Sequence, residues 1–295
     1  MNPLTRFLPS WRAVAAALAL FGSAPALAVP AMWRVHSGAT EIILFGTLHE
    51  LPPGVPWFNR RVTDRVDAAD ALVLEAVVPD DPSVVSGLIS RLGYSPKEPK
   101  LDTRVAPSKR GKLDAAVAAT TLSMDSLDLM ETWLAAIVVG DATLANLGLT
   151  AANGVEATLT AKFRAAGKPI TPLETLQQQF GYFDTLPEAD QRALLDATVD
   201  DIATAKADTD KLVAAWLAGD TETIAAAFKG DALGATPVVA KALMTDRNAR
   251  WADWIKARLR VPGKLFVAVG AAHLAGPNSV LAMLKARGIT AERLP

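Results

Sequence analysis

The sequence predicts an α/β protein with a central sheet built from both chain ends and a large helical middle subdomain. Three observations predict it. Runs of β-branched and apolar residues suited to strands buried on both faces lie toward the two ends, at Ile42–Phe45, Ala71–Leu74 and Leu265–Val269. From about 80 to 152, and again from about 174 to 260, the pattern is mainly helical. Two of the strand-like runs also close on one device, Gly46-Thr47-Leu48-His49 and Gly270-Ala271-Ala272-His273. The glycine permits a sharp turn or a close approach, and the histidine is presented just beyond the carboxyl end of a strand. Ligands and catalytic groups collect there in open α/β sheets.

The N-terminus reads as a separate object. Arg6 and Arg12 form a positive region, Ala13 to Phe21 an apolar one, and Ala26-Leu27-Ala28 a cleavage pattern. This predicts a signal peptide over 1–28, removed near Ala28, and a single domain over 29–295 that is periplasmic or secreted. The apolar run is too short to span a bilayer comfortably, and no later run reaches the ~18 residues a spanning helix needs. The chain contains no cysteine, so neither disulfides nor a lipid-attachment thiol are expected. Its formal charge of -1 and the lack of a basic tract argue against nucleic acid as a partner.

In order, Met32–His36 and Glu41–Phe45 predict a hairpin across Ser37-Gly38-Ala39. Gly46 to Trp57 is a Pro-rich loop, Phe58–Ala68 a helix, and Ala71–Leu74 a strand ending at Glu75. That order is one βαβ unit and favours parallel pairing. Helices follow over Asp81–Leu92, Ala106–Ala119 and Asp125–Val139, the last apolar around much of its circumference. Asn153-Gly154-Val155-Glu156 suggests a capping box for the next helix. Lys168–Ile170 predicts a short strand before Glu174. Further helices are expected over Pro187–Ala205, Thr209–Leu217, Thr221–Lys229 and Pro237–Leu243. A last long helix, to Arg260, carries Arg247, Trp251, Trp254 and Arg258 along one face. The strand Leu265–Val269, a helix over 277–287 and a strand Thr290–Arg293 close the chain.

The chemistry-bearing candidates follow from this layout. His49 and His273 are two of only three histidines, and imidazole suits a metal ligand, a general base or an orienting group. His36 lies inside an ordinary strand and reads as structural. Glu75 ends an apolar strand one crossover from His49, where a carboxylate acts as base, ligand or orienter. Glu174 also follows a strand and ranks above Glu156, which the capping reading accounts for. Arg247 shares a helix face with Trp251, which is assigned to binding, and a guanidinium there suits an oxyanion or a substrate carboxylate.

Taken together, Gly46–His49, the strand ending at Glu75, Pro172-Leu173-Glu174-Thr175, Arg247-Asn248 before Trp251, and Val269–Gly276 resemble the TraB/GumN family, which includes the TIKI metalloproteases. The resemblance covers about Met32 to Leu294. It implies an α/β fold related to the erythromycin esterases and a metal-dependent hydrolase. His49, His273 and Glu75 would hold a divalent ion such as zinc, manganese or cobalt, with Glu75, Arg247 and Glu174 catalytic. The expected reaction is hydrolysis of peptide or ester bonds, on a peptide or small-molecule substrate. The competing expectation is a non-catalytic periplasmic protein that binds a peptide or saccharide in the same cleft.

Overall fold

The structure is a computed structural model and describes residues 29–230 and 232–295; the signal-peptide expectation lies outside them. It is α/β, organised on a six-stranded mixed sheet with strand order β4-β3-β5-β2-β1-β6. The strands are β1 (Met32–Ser37), β2 (Thr40–Thr47), β3 (Ala71–Leu74), β4 (Ile170–Pro172), β5 (Gly263–Gly270) and β6 (Glu292–Arg293). The predicted hairpin forms as an antiparallel β1–β2 pair, and both chain ends share the sheet. The βαβ reading needs correction. β2 and β3 are both parallel to β5 but do not pair with each other, because β5 lies between them. The first crossover thus leaves a gap one strand wide, and a segment from the far end of the chain fills it.

Alternating residues of the strands feed two cores, as the two-residue side-chain period requires. Phe45, Leu72, Phe266 and Ala268 face one layer, where helices α1 (Arg60–Ala68), α6 (Val155–Ala165) and α9 (Ala205–Leu217) supply Val62, Leu159, Phe163 and Trp216. Leu44, Val73, Val267 and Val269 face the other, against Trp251 and Ile255 of α12 (Asp246–Arg258) and Leu284 of α13 (Val280–Ala286). A third core, separate from the sheet, joins α3 (Arg110–Ala118), α4 (Met124–Asp128), α5 (Thr132–Asn146) and α8 (Glu188–Asp201) around Trp133. The helical middle is therefore divided: α6, α9, the helix Thr221–Gly230 and α12 serve the sheet, while α3, α4, α5 and α8 build a core of their own.

Several helix boundaries differ from expectation for physical reasons. The helix predicted over Asp125–Val139 is interrupted between α4 and α5, where Met130 bridges to Tyr94. The carbonyls freed by that break are satisfied by Arg104, a wholly buried guanidinium that donates to Met130 (2.6 Å) and Asp128 (3.1 Å). Ala106–Ala119 begins as a 3-10 turn at Pro107–Lys109 before α3. Pro187–Ala205 stops at Asp201, and α9 begins at Ala205 rather than Thr209. β4 starts two residues later than predicted and includes Pro172, tolerable because it is an edge strand. Pro237–Ala240 passes through a π turn, Lys241–Thr245, directly into α12, and no helix among the described residues is long and apolar enough to cross a membrane.

Candidate active site

The two glycine–histidine devices lie side by side because β2 and β5 are adjacent and parallel. Gly46 pairs with Val269 and Thr47 with Gly270. A Cβ on Gly46 would stand 3.0 Å from the Cα of Ala271. The glycine therefore lets the 3-10 turn Ala271–Leu274, which carries His273, pack against β2. The Gly46 carbonyl accepts a 2.8 Å bond from the indole of Trp216 on α9. A helix far along the chain thus pins the first device.

Gly270 is the meeting point. An added Cβ there would find Glu75 Oε1 at 3.3 Å, His49 Nε2 at 3.4 Å and His273 Cδ2 at 3.5 Å. Side chains from three segments widely separated in sequence therefore surround one small volume beyond the carboxyl ends of β2, β3 and β5, as the sequence reading required.

Glu75 is held on both oxygens. Oε1 accepts from the Gly270 amide (2.7 Å), and Oε2 accepts from Arg247 Nη2 (2.6 Å), with the Gln179 amide at 3.4 Å. Burial opposes its charge, but His273, His49, Arg247 and the Gly270 N–H outweigh it and hold the carboxyl down to about 2. His273 is pushed to about 4, chiefly by burial against the pull of Glu75, so it is neutral near pH 7. Its attraction for Glu75 therefore operates only in acid, and at neutral pH the charged His49, Arg247 and the Gly270 N–H carry the effect. Arg247 also donates from Nε to Glu174 (3.0 Å) and from Nη1 to the Leu243 carbonyl in the π turn (3.2 Å), and it lies over the Trp251 ring. Each of its guanidinium nitrogens has a partner. In this arrangement it clamps carboxylates, and an oxyanion in the cleft would find it engaged.

The two histidines are fixed in the same sense by different partners. Asn248 donates its amide N–H to the Asn278 carbonyl (2.8 Å), leaving its oxygen for His273 Nδ1 at 2.6 Å. The proton is thereby assigned to Nδ1, and Nε2 is left as a lone pair, 3.4 Å from Arg247 Nη1. His49 Nδ1 lies 2.7 Å from Glu156 Oε1, which also accepts from the Thr47 hydroxyl. A carboxylate on Nδ1 points the other nitrogen inward, the arrangement that orients metal-binding imidazoles. For His49, burial works against protonation, but Glu156 overcomes it and raises the group to about 9. Water reaches 63% of this side chain and softens both effects; the short Glu156 contact decides the direction.

Glu156 corrects the capping-box reading. Gly154 is the cap of α6, without a side-chain bond, while Asn153 sits in a preceding 3-10 turn. A Cβ on Gly154 would collide with the His49 carbonyl, and the Val155 amide donates to the Leu48 carbonyl (3.2 Å). The glycine seats α6 on the first device and so delivers Glu156 to His49. Glu174 has the opposite fate. It is buried behind the cleft, bonded to Arg247 and the Tyr182 hydroxyl (3.1 Å), with Arg250 at 3.5 Å. Trp251, only 1% exposed, backs Arg247 and His273 and does not line the cleft. Sequence reasoning gave no role to Thr47, Gln179, Tyr182, Asn248 or Arg250. Thr47 and Asn248 lay inside motifs already singled out, and position within those motifs was the available signal.

Two imidazole Nε2 atoms, that of His49 once an ion displaces its proton, and a carboxylate are the donor types a divalent ion of the zinc class takes. The fit is one of chemistry and orientation. As the side chains stand, no three His, Asp or Glu residues among the described residues form a ready metal-binding group, since His273 Nε2 faces Arg247. His49 and Glu75 border a cleft of about 770 Å³ that Glu156, Gln179 and an apolar wall also line, while His273 is buried behind them.

A mixed sheet with paired strand-end histidines and an arginine-clamped glutamate defines one class of α/β protein. A profile of the TraB/PrgY/gumN family matches residues 31–293, and the chain belongs to that family. It is 25% identical over 260 residues to the uncharacterized protein YbaP of Escherichia coli (strain K12), covering 87% of this chain and 92% of that one. The YbaP of Shigella flexneri is 26% identical over 265 residues, with 88% and 92% covered. No solved structure matches.

Proposed function

We propose that this protein is an exported hydrolase of peptide or ester bonds, supported by a divalent ion held between His49, His273 and Glu75. The observation that carries the reading is the convergence of those three side chains around Gly270, two of which, His49 and Glu75, also line the cleft. Export rests on the signal-like N-terminal sequence. A bound ion would supply Lewis acidity and a water that ionises near neutral pH. The chain's own residues do the rest. Glu156 and Asn248 turn the two Nε2 atoms inward, and Arg247 with the Gly270 amide keeps Glu75 ionised and aimed. Gln179, the cleft-lining amide beside Glu75, has a second N–H for a substrate carbonyl.

The test has two parts. Protein purified without added metal or chelator is analysed for zinc, manganese and cobalt, then assayed on peptide and ester libraries before and after chelation and add-back. Activity lost on chelation and restored by one ion, and absent in His49→Ala and His273→Ala, is the expected result. Full activity after rigorous metal removal overturns the metal, and equal product from wild type and both variants overturns the site. The alternative, a non-catalytic binding protein, draws on one observation: Glu75 and Arg247 are already saturated by each other and their neighbours. That reading expects retained ligand with no turnover under any metal condition.

A further inference from the structure

The cleft beside the candidate site has two walls that run in the same direction. One is the segment from Glu75 to Asp80; the other is α6 from Glu156 to Arg164. At the near end Glu156 bonds His49, and at the far end Arg164 pairs with Asp80 at 2.7 Å. Eight residues of helix separate those contacts, about 12 Å at the α-helical rise. That length accommodates roughly three or four residues of extended chain.

Each wall has a feature the hydrolytic residues do not use. Along the first, Ala76, Val77 and Val78 adopt neither helix nor turn, and their backbone N–H and C=O groups have no hydrogen-bond partner among the described residues. The pairing with the β4 side ends one residue earlier, where the Glu174 amide donates to the Glu75 carbonyl at 2.8 Å. Ala76 and Val77 are half-buried and Val78 is exposed, and peptide groups without partners in such a segment are a template for another strand. Along the second wall, Ala157 and Ala161 stand one turn apart with exposed methyls, and Val77, Val78 and Leu176 complete an apolar lining. Larger residues at the two alanines would close the space.

We propose that the cleft binds a peptide in extended form, its main chain pairing with Ala76–Val78. An aliphatic side chain of that peptide would seat against Ala157, Ala161 and Leu176. Resting on the hydrolase reading, this narrows its substrate from peptide or ester to peptide, since only a main chain with its own N–H and C=O groups uses such a ledge. Bulk at Ala157 and Ala161 sets which side chain is accepted next to the bond at His49 and Glu75.

Fluorescein-labelled pentapeptides carrying one Leu, Asp or Lys in a Gly/Ala background provide the test, by anisotropy on wild type and His49→Ala. Leu peptides should bind about 10-fold more tightly than Asp or Lys peptides, the scale of one buried aliphatic group. N-methylation of a single amide flanking the Leu should weaken binding up to about 10-fold, as for one lost hydrogen bond. Ala157→Leu and Ala161→Leu, on an exposed helix face, should discriminate against Leu peptides with unchanged Tm. Absence of binding by every peptide, or indifference to N-methylation and to both leucine variants, overturns the proposal. Binding with the expected pattern but no product would sink the hydrolase reading alone. Turnover that ignores N-methylation and both variants would sink the ledge alone.

Discussion

His49 and His273 share a four-residue device, neighbouring strands and an inward-facing Nε2, yet their surroundings are opposite. His273 is buried, its Nδ1 held by a neutral amide and its ring tilted against Trp251 with centroids 4.5 Å apart. His49 is open to water and held by a carboxylate. One imidazole is driven toward neutrality and the other toward a positive charge. The same local sequence thus yields two chemically different groups, because distant residues 248 and 156 set the tautomer and the charge. Between about pH 4 and about pH 9 one repeated motif therefore presents a neutral imidazole beside a charged one.

The largest expected break in that comparison comes from Arg247→Met. It would leave Glu75 and Glu174, 8% and 4% exposed, without their shared cation. A loss of about 3–5 kcal/mol is expected on the His273 side of the site, as for breaking a buried pair. The denaturant midpoint measures it, and a change below about 1 kcal/mol would show the clamp to be idle. Gly270→Ala should act next. The contacts its Cβ would meet, 3.3–3.5 Å, are tight but tolerable, so Tm should hold while hydrolysis falls on the order of 100-fold, as for a small misplacement of reacting groups.

Glu156→Gln sharpens the contrast from the other side. It should return His49 from about 9 toward its ordinary range near ~6.5 and leave His273 low, visible in an NMR titration of the imidazole protons. Divalent-ion affinity measured by calorimetry should fall roughly 10-fold as His49 loses its orienting carboxylate. Both histidine resonances moving together would contradict independent control.

The pH dependence of stability should show two flanks. His49, raised in the folded state, contributes stability that is fully present below ~6.5 and lost as pH rises through about 9. His273 and Glu75 are both lowered. The His273 contribution is present above ~6.5 and lost as pH falls through about 4; that of Glu75 is present above ~4.3 and lost through about 2. Glu156→Gln should flatten the alkaline flank in Tm against pH, and it should also remove from the acid flank the share of its own lowered carboxyl. The smallest effect is expected from Trp216→Phe, which strands the Gly46 carbonyl at about 1–3 kcal/mol and tests whether α9 pins the first device.

What was legible in the sequence was local. Strand runs ending in Gly-x-x-His announce themselves within nine residues, and Glu75 is conspicuous as an acid closing an apolar strand. Arg247 was legible as a cation on a tryptophan-bearing face, though its saturation by two carboxylates was not. Glu156 was misread because Asn153-Gly154-Val155-Glu156 fits a capping pattern, while its actual partners, Thr47 and His49, lie more than a hundred residues away. Arg104 gave no signal, since carbonyls freed by a helix break leave no trace in residue type. The π turn before Arg247 was equally silent. The order of strands was half legible: the two ends share a sheet, but nothing in the βαβ pattern says that a third strand separates its members.

That third strand has a consequence for how the molecule comes into being. β5 touches both β2 and β3 along nearly their full lengths, yet most of the described chain separates it from them in sequence. Until residues 263–270 pair, the two halves of the sheet have no shared member, and Glu75 lacks Gly270, His273 and Arg247 together. Pairings of such long sequence separation form slowly. Assembly of the sheet and convergence of the site residues are therefore one event, which waits on the pairing of β5.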